Sequence, residues 1–121
     1  MYRNPNLLKL AKDSPCLLNF SPKCLRDDGS TTVAAHSNQM IHGKGRAIKA
    51  SDAMTVWACY LCHTELDQGN LTKQKKAKIF DEAWYRQVGA WHEIADNPTI
   101  KPWRREAAKE ALKHLGVRDG K

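Results

Sequence analysis

The chain predicts a small α+β fold braced by metal-bound cysteines, on three observations. Two short β-rich segments, residues 31–36 and 54–58, flank a loop containing glycines and lysines. The C-terminal third repeats apolar residues at three- and four-residue steps, the mark of amphipathic helices. All four cysteines lie in the first 62 residues. A length of 121 residues points to one domain. So small a body buries only about two thirds of its unfolded surface, so a metal brace would add usefully to its core.

In chain order, residues 7–12 group Leu7, Leu8, Leu10 and Ala11 against outward Lys9 and Lys12, a short helix that Pro15 stops. Ser21-Pro22 turns the segment between Cys16 and Cys24 back on itself, so the two thiols can meet. Asp28-Gly29 is a hairpin-turn signal, and the β-formers Thr31, Thr32 and Val33 lead a strand into Ala35 and His36. Residues 37–52 show no periodicity and form a basic loop. Its His-Gly-Lys-Gly stretch lacks the residue order of a nucleotide-binding P-loop. Residues 54–58 make the second strand, and helix formers follow Cys59-x-x-Cys62 until Gly69. Residues 73–78 read as a basic linker. Phe80, Ala83, Trp84, Val88, Trp91 and Ala95 then mark one long helix, closed by Asn97-Pro98. A last helix opens at Pro102, carries Trp103, Ala107, Ala111, Leu112 and Leu115 on one face, and ends at Gly116. The tryptophans are expected in the core, and His92 and His114 as packing or surface residues. The division expected is a braced unit at 1–72 with a helical extension at 73–121 packed on it, within a single domain.

Twenty Lys and Arg against 13 Asp and Glu give a formal charge of +7, a surplus that favours polyanionic partners. No apolar run is long enough to span a bilayer, and the N-terminus lacks a signal peptide's apolar core, so a cytoplasmic location and no membrane partner are expected. Thiols are reduced there, and metal ligation outranks disulfides.

Four thiolates are a common closed tetrahedral set for structural zinc, and Cys59-x-x-Cys62 supplies the pair with diagnostic spacing; Cys16 and Cys24 supply the other two. A closed site leaves no open position for water, so this zinc braces and does no chemistry. A redox role for Cys59 and Cys62 is weaker, because no βαβ pattern surrounds them. His36 at a strand end, and His63 with Asp67 four residues apart on one helix face, are parts of a different site. Hydrolysis of a phosphodiester needs a base to deprotonate water and a cation to neutralise phosphate charge. His36 suits the base, and His63 and Asp67 suit the cation.

The succession Cys16…Cys24, Ala35-His36, the basic loop, Asp52 and Ala58-Cys59-x-x-Cys62-His63-x-x-x-Asp67 resembles the prophage YbcO-type nucleases of the HNH or His-Me finger superfamily, and more distantly the phage recombination nuclease Ref. The likeness covers about residues 7–70. It implies a ββα-metal core, with His36 as catalytic general base and His63 and Asp67 holding Mg²⁺ or Mn²⁺. Two positions depart from the pattern: Ala35 stands where many HNH enzymes place a ligand, and Met54 where they place an asparagine. Asp52 and His42 are the candidates to complete the shell. The resemblance implies a DNA endonuclease of phage or prophage origin, with DNA as partner, a recombinase filament as a further one, and no nucleotide cofactor. Lys44, Arg46, Lys49, Lys73, Lys75 and Lys76 are the expected phosphate contacts. Ala35 and Met54 keep a second reading open, a zinc-stabilised nucleic-acid-binding module without catalysis.

Overall fold

The fold is taken from a computed structural model whose described residues are 2–39, 42 and 50–116. Among them the order is α1 (Pro5–Lys9), β1 (Val33–His36), β2 (Thr55–Ala58), α2 (Tyr60–Gln68), α3 (Lys73–Asp96) and α4 (Pro102–His114), with one 3₁₀ turn at Gly29–Thr31. The chain is thus mixed α and β, with a small two-stranded sheet and four helices among these residues. No helix described is long and apolar enough to cross a membrane.

The strands pair antiparallel, Val33 opposite Ala58 and His36 opposite Thr55. All four residues of β2 are buried, which suits its apolar composition and makes it the spine of the molecule. On its side away from β1, the Trp57 N–H donates to Gln87 Oε1 of α3 at 2.8 Å, and the Trp57 carbonyl accepts from Leu17 N at 2.9 Å and Leu18 N at 3.1 Å. A helix side chain and a loop therefore satisfy groups that a third strand would otherwise take.

Two apolar clusters flank this spine. One joins Leu7, Leu10 and Ala11 with Trp57, Trp91, Ile94 and the alanine face of α4. The other joins Leu18, Ala35, Val56, Leu66, Phe80 and Ala83 with three of the cysteines. Each fully buried large side chain contributes about 1.5–3 kcal/mol. Because α3 supplies residues to both clusters, the C-terminal helices complete the core. Trp57 and Trp91 are buried as expected, and Trp84 is half-buried with its Nε1–H on the Ala53 carbonyl at 2.9 Å. Trp103 is exposed.

Three local expectations change. Residues 73–78 are the first turns of α3 and not a linker, because the Thr72 side chain caps the helix by accepting from Lys75 N at 3.1 Å. Asp28-Gly29 makes no hairpin between strands: Asp28 caps the 3₁₀ turn by accepting from Ser30 N at 3.1 Å. Gly29 lies so close to the Asp13 backbone that a Cβ there would collide with it, which accounts for the glycine. The first helix begins at Pro5, two residues early, with Asn4 as its cap.

Candidate metal centre and active site

The ligand atoms of Cys16, Cys24, Cys59 and Cys62 all lie within 4.8 Å of one another. A tetrahedral zinc with Zn–S bonds of about 2.3 Å sets its sulfurs about 3.8 Å apart, so the cluster matches that donor set in number, type and spread. Local backbone explains the convergence. Cys59 follows β2 directly and stands at the N-cap of α2, with Cys62 in the first turn, so both sulfurs lie near the positive end of the helix dipole. Cys16 and Cys24 come from the loop between α1 and β1, where Asn19 and Arg26 adopt left-handed backbone. Those turns aim Asn19 N–H at the Cys16 sulfur, 3.4 Å, and Arg26 N–H at the Cys24 sulfur, 3.3 Å. Arg86 of α3 fastens the same loop, donating through Nη2 and Nε to the Leu17 carbonyl at 2.8 and 3.1 Å.

The thiols differ in acidity. Burial raises Cys59, but the backbone amides of Leu25 and Cys62 and the neighbouring thiols outweigh it and bring it down to about 7. Burial pushes Cys62 up, and Cys24 and Cys16 push it further, against amides from Ser21 and Phe20. Cys16 is also raised, first by burial. The protein alone thus favours one thiolate and resists several together. A dication among the four sulfurs would remove that resistance, and the chemistry of the set fits zinc.

The histidines sit in separate surroundings. His36, last in β1, places Nε2 2.8 Å from Asp52 Oδ1. Asp52 is buried and accepts further bonds from Arg3 Nη1 at 3.1 Å and from the Asn4 backbone N–H at 2.7 Å. Burial raises its carboxyl, but these bonds, led by His36, hold it below the ordinary value. On α2, His63 Nε2 lies 3.2 Å from Asp67 Oδ2. Two donors at about 2.1 Å from an octahedral ion, at right angles, lie about 3 Å apart, so the pair fits one divalent ion as well as a shared proton. Asn38 Nδ2 donates to the other Asp67 oxygen at 2.9 Å. Asn38 stands two residues past His36, so this bond draws the exit of β1 against the face of α2 that carries the pair.

Among the described residues the four cysteines are the one group of three or more such donors close enough to hold an ion. Asp52 and His42 are therefore not gathered with His63 and Asp67. Asp52 is turned to His36 and the N-terminal segment, while His42 Nδ1 is 2.6 Å from Ser37 Oγ. Burial lowers the His42 pKa, with Asp81 opposing. Lys44, Arg46 and Lys49 fall outside the described residues. Lys73 and Lys76 line a groove of about 900 Å³ with Asn38, Gln39 and Asp67 on its walls and Leu66, Ala77 and Phe80 among its apolar residues; Lys75 is exposed but is not part of that lining.

Sequence reasoning had no role for Arg3, Asn4 or Asn38. Each acts through a partner far along the chain, for example Asn4 with Asp52 across 48 positions, and no local spacing encodes such a contact. Compared with known proteins, the chain matches no family model, no curated protein and no solved structure.

Proposed function

We propose that this protein is a zinc-braced, metal-dependent endonuclease of the HNH or His-Me finger type, acting on DNA. The observation that supports the reading is the bond from Asn38 to Asp67, which brings the residue two past strand-end His36 onto the helix-borne His63–Asp67 pair, beside a lysine-lined groove. The bracing zinc would be held by Cys16, Cys24, Cys59 and Cys62. His63 and Asp67 would hold Mg²⁺ or Mn²⁺, whose charge would offset that developing on the phosphate.

His36 supplies the base. Water gives a proton to its ring and the water oxygen bonds phosphorus; the ester P–O bond breaks, its electron pair staying on the departing oxygen. Lys73 and Lys76 supply charge along the groove, where they would steady the DNA backbone. At the first turns of α3 these lysines face the positive end of the helix dipole. That placement is unfavourable by a few tenths of a kcal/mol each and favours an anion in front of them.

The test is cleavage of supercoiled plasmid by zinc-loaded protein with added Mg²⁺ or Mn²⁺. Nicking is expected, together with a loss of about 10²- to 10⁴-fold in His36→Ala at unchanged zinc content. Salt-sensitive DNA binding without cleavage, and a His36→Ala variant identical to wild type, would replace this reading with the non-catalytic binding module.

A further inference from the structure

The His36–Asp52 contact has a directionality that the nuclease reading by itself does not require. Asp52 is almost completely buried, at 2 % exposure, and both its oxygens accept hydrogen bonds. Oδ2 takes the Asn4 backbone N–H at 2.7 Å, and Oδ1 takes Arg3 Nη1 at 3.1 Å and meets His36 Nε2 at 2.8 Å. An ionised carboxylate only accepts. The ring nitrogen facing it is therefore the one that carries hydrogen, and in neutral imidazole the other nitrogen then holds the lone pair.

The surroundings make this arrangement rigid. The Asp52 N–H donates to the Tyr2 carbonyl at 3.1 Å, and Thr55 Oγ1 donates to the Asp52 carbonyl at 2.9 Å. Asn4 is held in turn: its Oδ1 caps α1 at Leu7 N, 3.1 Å, and its Nδ2 reaches the Ala107 carbonyl of α4, 3.2 Å. The segment before α1 thus holds both carboxylate oxygens, Asn4 on Oδ2 and Arg3 on the Oδ1 that meets the ring. Among the described residues Nδ1 of His36 has no hydrogen-bond partner, in keeping with a lone pair left for a substrate proton.

We infer that Asp52 is a positioning residue for the proposed cleavage, holding His36 with its proton on Nε2 so that Nδ1 takes the proton from water. This rests on the nuclease reading above. It assigns Asp52 to the histidine and removes it from the metal shell.

The same geometry makes Asp52→Asn a discriminating variant. Its amide has one oxygen, and the buried Asn4 backbone N–H at 2.7 Å holds that oxygen at the Oδ2 position in preference to the part-exposed Arg3 at 3.1 Å. The NH₂ then faces His36 and obliges Nε2 to accept, which moves the ring proton to Nδ1. Arg3 Nη1, which also donates to the Ala50 carbonyl at 2.6 Å, keeps that bond and loses only its acceptor on residue 52.

The experiment is a long-range ¹H–¹⁵N spectrum of zinc-loaded protein labelled at histidine nitrogen, with the His36 signals identified by their loss in His36→Gln, run beside plasmid cleavage. Wild type should show His36 protonated on Nε2. Asp52→Asn should show the opposite tautomer and cleave about 10³-fold or more slowly, at unchanged zinc content. Asp52→Ala, which fixes neither tautomer, should give a mixture and a smaller loss. Wild-type protein that cuts DNA with His36 protonated on Nδ1, or Asp52→Asn that cuts at the wild-type rate, overturns the positioning role alone. Wild-type protein that cuts no DNA overturns the nuclease reading, whatever the tautomer.

Discussion

The cysteine cluster and the His63–Asp67 pair occupy the two sides of the same short helix, and they are built on opposite plans. The cluster draws four donors from the α1–β1 loop and the start of α2, has three of its four residues buried, and receives backbone N–H groups at its sulfurs. The pair has two donors on one helix, both more than a third exposed, with a single orienting amide from Asn38. A full set of buried soft donors makes a permanent brace. A sparse, exposed set leaves positions for water and phosphate, which suits a working ion. On the proposed reading the helix would carry a zinc brace on its buried side and an exchangeable ion on its open side.

The largest effect should come from breaking the closed side. Cys59→Ser or Cys62→Ser should abolish stoichiometric zinc and the cooperative melt together. Structural zinc sites bind with roughly 10–16 kcal/mol, as much as or more than the 5–15 kcal/mol by which whole domains are stable. A Cys62→Ser variant that melts like wild type would show that the cluster is not a brace. On the open side, Asn38→Ala should leave the melt unchanged and weaken divalent-ion binding by about 10- to 100-fold, read by Mn²⁺ titration, because Asp67 loses its orienting partner.

Gln87→Ala probes the spine between the two apolar clusters. It leaves the buried Trp57 N–H without its acceptor and should cost about 1–3 kcal/mol in urea unfolding, with zinc retained. The smallest effect is expected in acid. The Asp52 carboxyl lies below its ordinary 3.8 in the fold, so its contribution is fully present above that pH and lost as pH falls through the lower folded value. The melting-temperature advantage of wild type over Asp52→Asn should therefore shrink below pH 3.8 and hold steady above it.

Much of the closed site was legible because its signal is local. Cys59-x-x-Cys62 at a helix start and the turn between Cys16 and Cys24 specify a thiol cluster from spacing and turn chemistry. The i, i+4 placement of His63 and Asp67 was legible for the same reason, as were the long C-terminal helices from their periodicity. The start of α3 was not, since its first six residues are polar or small until Ile79 and Phe80 and only the Thr72 cap announces it. Arg3, Asn4, Asn38 and Gln87 were illegible for a different cause. Each satisfies a polar group 29 to 49 positions away, and that pairing exists only once the two apolar clusters have assembled.

On the proposed reading one framework carries a closed zinc site and an open site for a second ion. Metal analysis of protein purified in reducing buffer, followed by Mn²⁺ titration monitored by electron paramagnetic resonance, tests it most directly. One tightly held zinc per chain is expected, with one weak Mn²⁺ site that disappears in a His63→Ala, Asp67→Ala double variant while the zinc stays. Zinc-free folded protein, or Mn²⁺ binding unchanged in that variant, would contradict it.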